Sequence, residues 1–387
     1  MRLPKTFTAF LALAFFICIT VFWSCKKSDV DTPADPFSQY LNLPATPFNY
    51  ANQVLPAHLR AVPPNLDNTP ANNLVTDWGA TLGRVLFYDK NISINNAVSC
   101  ASCHAQQSGF SDPLAFSKGF QNGLTDRNSM SLVNAKYYPR GRFFWDERAA
   151  TLEIQTLMPV QHPVEMGMHL DTMVKKLQAL PYYPQLFTNA FGSNTVSSDR
   201  ISKALSQFIR SIISYQSKYD VGRAAFPANQ PPGQVNFTNF TQQENRGKAI
   251  FFGPVGGCAP CHGTEAFTAP GAKNNGLDLV SIDRGVGFAN NNPAQDGLFK
   301  VPSLKDIANT SPFMHDGRFT SLEQVVEHYS TGVKAHPNLS QEIRNPNNGL
   351  PRNGNFSVQD KAALVAFLQT LTDTQLSTDI KFASPFK

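Results

Sequence analysis

Cys100-Ala101-Ser102-Cys103-His104 and Cys258-Ala259-Pro260-Cys261-His262 decide how this chain is read. Both are C-x-x-C-H. Two thiols at that spacing can add across the two vinyl groups of one porphyrin, and the adjacent histidine is then directed at the iron as proximal ligand. The pair predicts two covalently bound haem c groups, one on Cys100, Cys103 and His104, the other on Cys258, Cys261 and His262. A zinc site assembled from the two Cys-x-x-Cys pairs is the plainer alternative, but it leaves the matched histidines without a role. A disulfide between cysteines three apart is usually catalytic rather than structural.

Working outward, the same phrase precedes each motif: Gly83-Arg84-Val85-Leu86-Phe87 before the first, Gly247-Lys248-Ala249-Ile250-Phe251 before the second. Each half therefore reads as a short helix leading into C-x-x-C-H, then loops, then a closing helix. Ile201, Leu205, Phe208 and Ile212 mark the first closing helix, and Leu364, Phe367, Leu368 and Leu371 the second, at the three-and-four spacing of one buried face. Residues 226–235 hold three prolines and a glycine and read as a linker. Strand alternation is scarce. The expected fold is mostly α, with two tandem cytochrome c-like domains, each enclosing one covalently bound haem. Residues 71–225 and 237–387 are the expected domains, with 226–236 between them.

The 387 residues suit two domains. Apolar content of 42% supplies real cores, and the 30 phenylalanines serve an ordinary core as well as a flat apolar cofactor. At the N-terminus, Arg2 and Lys5 lead into an apolar run from Phe7 to Phe22, and Ser24-Cys25 follows. That is an export signal, and the run is short for a spanning helix. The small residue before Cys25 resembles a lipoprotein box, although Phe22 stands where leucine is usual; an ordinary cleaved signal or a retained anchor is the alternative. Residues 1–24 are then the expected signal peptide and Cys25 the lipidated first residue, holding the protein in the periplasm or cell envelope. A tether is expected from 25 to about 70, with 26–47 its flexible part. Loss of the signal removes Arg2 and Lys5 and no acid, taking the charge from +5 to +3. So mild a balance predicts no nucleic-acid partner.

From Leu82 to Leu371 the chain resembles the bacterial di-haem cytochrome c peroxidases, which include the MauG-type enzymes. The landmarks are Arg127-Asn128-Ser129, Phe144-Trp145-Asp146, Pro163-Val164-Glu165-Met166, Lys300-Val301-Pro302-Ser303-Leu304 and His315-Asp316-Gly317, in that order and spacing. The resemblance implies that peroxide reacts at the N-terminal haem, while the C-terminal haem takes electrons from a small periplasmic cytochrome c or copper protein. It implies a distal pocket of Gln155, Pro159 and Glu165 over the first haem, with Glu165 as the acid–base group for splitting the O–O bond. It implies that Trp145 carries electrons between the haems while packing as core. It implies one calcium ion held by Asn128 and the carbonyls of Thr310 and Pro312. Family members are often dimers, so a homodimer belongs to the expectation.

Two positions depart from the peroxidase pattern. Lys118 falls where many of these enzymes carry a switching histidine, which predicts a first haem open in the oxidised protein without reductive activation. Tyr329 falls where the distal methionine of the second haem is usual, as in the MauG-type enzymes. A phenolate would lower that haem's potential and a thioether would raise it, and Met314 is the rival ligand. Tyr329 and Lys118 both lean toward a MauG-type oxidase, which modifies a protein or organic substrate with a high-valent haem. A di-haem electron carrier has no use for Glu165 with Gln155. His162, His169 and His328 are expected at surfaces or caps, and His315 behind the second haem.

Overall fold

Thr76, Ser197, Thr241 and Ser357 each accept a backbone N–H from three residues on, and each starts one of the four longest helices. The computed structural model describes residues 37–387; the expected signal segment and Cys25 lie outside the described residues. The helices of the first half are α1 (Ala57–Arg60), α2 (Asp77–Tyr88), α3 (Cys100–Cys103), α4 (Leu152–Gln161), α5 (Leu170–Gln178), α6 (Tyr183–Phe191), α7 (Ser198–Ser211) and α8 (Lys218–Ala224). Those of the second are α9 (Gln242–Phe252), α10 (Ala259–His262), α11 (Val286–Ala289), α12 (Leu322–Glu327) and α13 (Val358–Gln369). Among the described residues only isolated β-bridges occur, so the fold is mostly α.

The repeated glycine phrase governs how each half closes. A Cβ on Gly83 would lie 2.0 Å from the Ala204 carbonyl oxygen of α7, and one on Gly247 would lie 1.8 Å from that of Ala363 in α13. Only glycine lets the two backbones approach so closely. The phenylalanine four residues on then meets its counterpart across the pair: Phe87 with Phe208 at 5.2 Å, Phe251 with Phe367 at 5.1 Å. Leu205, Phe208 and Ile212 are essentially inaccessible, as are Leu364, Phe367 and Leu371, so both predicted closing faces are buried.

The repeat extends further than that phrase. Phe143-Phe144-Trp145-Asp146-Glu147-Arg148 and Phe313-Met314-His315-Asp316-Gly317-Arg318 form the same loop, closed by the bridges Phe143↔Ala149 and Phe313↔Phe319. Phe144 (φ +66°) and Met314 (φ +74°) share a left-handed backbone, and Asp146 and Asp316 each accept from the arginine two residues later. Helices α4 and α12 follow, capped by Thr151 and Ser321. Pro159 and Tyr329 stand the same number of residues beyond those caps, so they are counterparts in the two halves.

The segment between the halves and the expected tether are both held by specific contacts, and for the tether this corrects the expectation of flexible chain. Residues 226–235 are anchored rather than free: Arg223 donates to the carbonyls of Pro227 (3.0 Å) and Ala228 (2.7 Å), and buried Lys248 donates to those of Pro232 and Val235. Prolines remove N–H donors but leave carbonyls, and two buried cations collect them. The described part of the expected tether also packs. Phe37, Leu41, Tyr50 and Leu59 are buried, Leu41 bridges Phe386, and the Tyr50 hydroxyl donates to the Lys381 carbonyl. Polar composition suggested a flexible chain there and did not reveal a strap held by spaced aromatic and aliphatic anchors, with the short helix α1 inside it.

Two candidate haem-binding sites

At the first motif, Ser99 and Ser102 form a capping box that holds α3, and the chain leaves the helix at His104. His104 Nδ1 donates to the Phe110 carbonyl at 2.9 Å, and at the second motif His262 Nδ1 donates to the Phe267 carbonyl at 2.9 Å. That bond fixes the tautomer and leaves Nε2 with the lone pair a metal needs. Both carbonyls are presented by a left-handed residue (φ +55° at Phe110 and at Phe267). Ser131 and Ser303 brace the turns by donating to Gly109 and Ala266, each at 2.6 Å. Burial lowers both imidazole pKa values, His262 to about 4, so both rings are neutral and ready to ligate. Burial pushes Cys100 and Cys258 up to about 12.

The second site opens into a cavity lined by Cys258, Cys261 and His262 and by Phe251, Phe313, Val326, Leu364 and Leu368. A flat apolar group with one axial histidine fits that donor set and lining. The same cavity is lined by both candidates for a second ligand to such a group. Tyr329 lies in the π-helical turn His328–Gly332 that ends α12, and Met314 lies in the repeated loop. Asn275 Nδ2 is 3.5 Å from the Tyr329 hydroxyl and 3.5 Å from Met314 Sδ, so the two side chains converge on one amide. The sequence reading missed Asn275; its only signal was an asparagine-glycine turn. His328 is not a ligand: its Nε2 bonds the Asn275 carbonyl at 3.1 Å and so positions that amide. Burial pushes the Tyr329 phenol up to about 12, so it stays protonated unless a metal takes the proton's place.

Around the first site, α4 carries Gln155 and Pro159, both half-buried. The chain turns back through His162, which ends the helix, and Met168 N–H returns to the Val160 carbonyl at 2.8 Å. That turn brings Glu165 to the motif, close enough that its charge raises the pKa of both Cys100 and Cys103. Burial raises the Glu165 carboxyl itself, opposed by His162, whose Nδ1 is 3.5 Å away. The loop bearing Lys118 packs on the same turn. Phe120 N–H donates to the Glu165 carbonyl at 2.9 Å, and a Cβ on Gly119 would lie 1.7 Å from the Val164 carbonyl oxygen. Lys118 is exposed, as is His169.

Trp145 stands between the halves. Its indole N–H donates to the Asn128 carbonyl at 2.8 Å, and its own carbonyl accepts from Lys300 N–H at 2.7 Å. It borders the second cavity and meets His315 edge-on at 6.5 Å; His315 in turn stacks on Phe299 at 3.8 Å. Arg127 clamps the same junction, donating to Asp146 at 2.6 Å and to Asp283 at 2.7 and 2.8 Å. Asn128, Thr310 and Pro312 all border this cavity. Asn128 Nδ2 donates to the Leu114 carbonyl at 3.0 Å, which leaves its amide oxygen to face elsewhere.

Comparison with known proteins agrees with this geometry. Residues 78–224 match the family model described as di-haem cytochrome c peroxidase. The chain is 35% identical over 304 residues to the methylamine utilization protein MauG of Methylorubrum extorquens, covering 78% of this chain and 80% of that one. It is 30% identical over 300 residues to the cytochrome c551 peroxidase of Nitrosomonas europaea, covering 76% and 80%. Among solved structures, a MauG-like protein associated with microbial copper homeostasis superposes with a TM-score of 0.74 at 30% identity, covering 86% of this chain and 99% of that one. The two cytochrome c-like halves, their matched C-x-x-C-H sites and these relatives together place the chain in the di-haem cytochrome c peroxidase family of oxidoreductases.

Proposed function

We propose that the protein reduces hydrogen peroxide to water at the His104 site, with electrons that enter at the His262 site from a small cytochrome c or copper protein. The observation that carries this reading is Glu165: a carboxyl with its pKa raised by burial, lying against the first attachment motif. Such a group can accept a proton from one peroxide oxygen and return it to the other. Gln155 and Pro159 line the approach from α4, and Lys118, exposed, leaves that approach open without a reductive switch. The bound haems supply the redox chemistry. Trp145 carries electrons across the junction, and Val255, exposed at the rim of the second cavity, leaves that site reachable by a donor. A calcium ion on Asn128, Thr310 and Pro312, a lipid on Cys25, a place in the cell envelope and a homodimer belong to the same proposal.

Tyr329 favours a second reading. A buried phenol in the same cavity as His262 suits a MauG-type oxidase that stores oxidising equivalents for a protein or organic substrate. Purified, fully oxidised holoprotein mixed with peroxide and a reduced small cytochrome c separates the two. Rapid cytochrome oxidation without pre-reduction supports the peroxidase. An altered haem spectrum that persists while the cytochrome stays reduced supports the oxidase, and no response to peroxide overturns both.

A further inference from the structure

Three tyrosines run from the first attachment site to the surface. Cys100 packs against the apolar cluster that contains Tyr182 and Tyr183, and its thiol is close enough to raise the Tyr183 phenol further. Tyr183 is fully buried on α6. Its ring centroid is 4.7 Å from that of Tyr182, and Tyr182 is 5.5 Å from Tyr40, which is 36% exposed. Tyr183 donates to Asp89 Oδ2 at 2.7 Å and Tyr182 donates to the same oxygen at 2.9 Å, while Asn91 occupies Oδ1. One buried carboxylate oxygen therefore serves two phenols whose rings meet at a tilt of 44°. A structural role for Asp89 explains two hydrogen bonds. It does not explain why the phenols continue in ring contact to a third at the surface.

We propose that Tyr183, Tyr182 and Tyr40 form an exit for oxidising equivalents from the first haem site, ending in oxidation of small phenols at Tyr40. This rests on the reading that peroxide reacts at that site. Tyr183 gives one electron toward the site and its phenolic proton to Asp89. Tyr182 then gives an electron to Tyr183 and its proton to Asp89, as Asp89 returns a proton to the Tyr183 oxygen. Tyr40 reduces Tyr182 in turn, Asp89 restores the Tyr182 proton, and Tyr40 releases its own proton to water. The Tyr40 radical recovers one electron and one proton from an external phenol. Two passes per peroxide balance: one hydrogen peroxide and two phenols give two waters and two phenoxyl radicals. A hydroxyl hydrogen-bonded to a carboxylate can lose electron and proton together, which spares the buried chain a charged intermediate. The exit matters when no protein donor is docked.

The test uses full-length holoprotein and peroxide with no cytochrome present, a nitroso spin trap, and peptide mass spectrometry; guaiacol is the phenol probe. The proposal expects a trap adduct on the peptide containing Tyr40. That adduct is lost in Tyr182→Phe, which keeps the ring packing, and in Tyr40→Phe, which lies at the surface. Guaiacol should suppress the adduct in the unmodified chain and itself be oxidised. The haem absorption bands report the peroxide reaction separately. Bands that respond to peroxide with no adduct at Tyr40, or an adduct that survives Tyr182→Phe, overturn the exit and leave the proposed function standing. Bands that do not respond overturn both.

Discussion

Asp306 is the residue whose replacement most sharply tests how the two halves are joined. It is completely buried, with a left-handed backbone (φ +65°) at the start of the short 3-10 turn Ile307–Asn309. Oδ1 accepts from Asp373 N–H and Asn309 Nδ2, each at 3.0 Å. A Cβ on Gly109 would lie 2.9 Å from Oδ2, which has no partner, so the unsatisfied carboxyl oxygen faces the loop whose next residue holds His104. Burial and the neighbouring Asp373 push its pKa from the ordinary 3.8 up to about 7. A carboxyl raised in the folded state contributes stability that is whole below the unfolded pKa and is lost as pH rises through the folded one. Between pH 5 and pH 8 the unfolded chain is already ionised while the folded one resists. Taking 3.8 and about 7 as the two values, the loss across that interval is about 2.6 kcal/mol at 1.36 kcal/mol per decade.

Asp306→Asn keeps an acceptor for both donors and cannot ionise. Urea unfolding of holoprotein and variant at pH 5 and pH 8 should therefore show the variant gaining on the parent by about 2–3 kcal/mol from the lower pH to the higher. An unchanged difference between the two proteins at both values would refute the argument, because it would mean that Asp306 is ionised throughout or has a partner that stabilises its charge.

Three further outcomes follow from the sites. Glu165→Gln should slow the peroxide-induced change in the haem bands by about 10²–10⁴-fold in rapid mixing, with proximal ligation intact; an unchanged rate removes Glu165 from the chemistry. Tyr329→Phe should change the absorption and EPR spectra of the C-terminal haem, whereas spectra that respond only to replacement of Met314 assign the thioether. Gly247→Ala gains at most ~1 kcal/mol of helix propensity, but its methyl would sit 1.8 Å from the Ala363 carbonyl oxygen. Forcing α9 and α13 apart should destabilise the protein by on the order of 3 kcal/mol, read as a lower urea midpoint.

Much of this was legible in the sequence because a covalent cofactor leaves a covalent signature. C-x-x-C-H marks the attachment points, and Gly83 and Gly247 mark the close helix crossings, since no other residue allows backbone at that distance. The wider repeat was also written there, as Phe-x-x-Asp-x-Arg at Phe143 and Phe313, but it is too short and degenerate to find without the loops superposed. Asn275 and Asp306 were invisible for a different reason. Their roles depend on partners far along the chain, Met314 and Tyr329 for one, Asp373 and Gly109 for the other, and no local pattern encodes such a meeting. The packed segment near Leu41 was read as flexible because polar composition does not report the spaced apolar anchors that hold it.

Both motifs are assigned to covalent haem, and the intact mass of the purified protein under denaturing conditions tests that directly. The spectrum should show the polypeptide plus two haems, falling to one when Cys258 and Cys261 are both replaced by alanine and to one when Cys100 and Cys103 are. A polypeptide without haem, or one whose haems leave on denaturation, would contradict the assignment of both motifs.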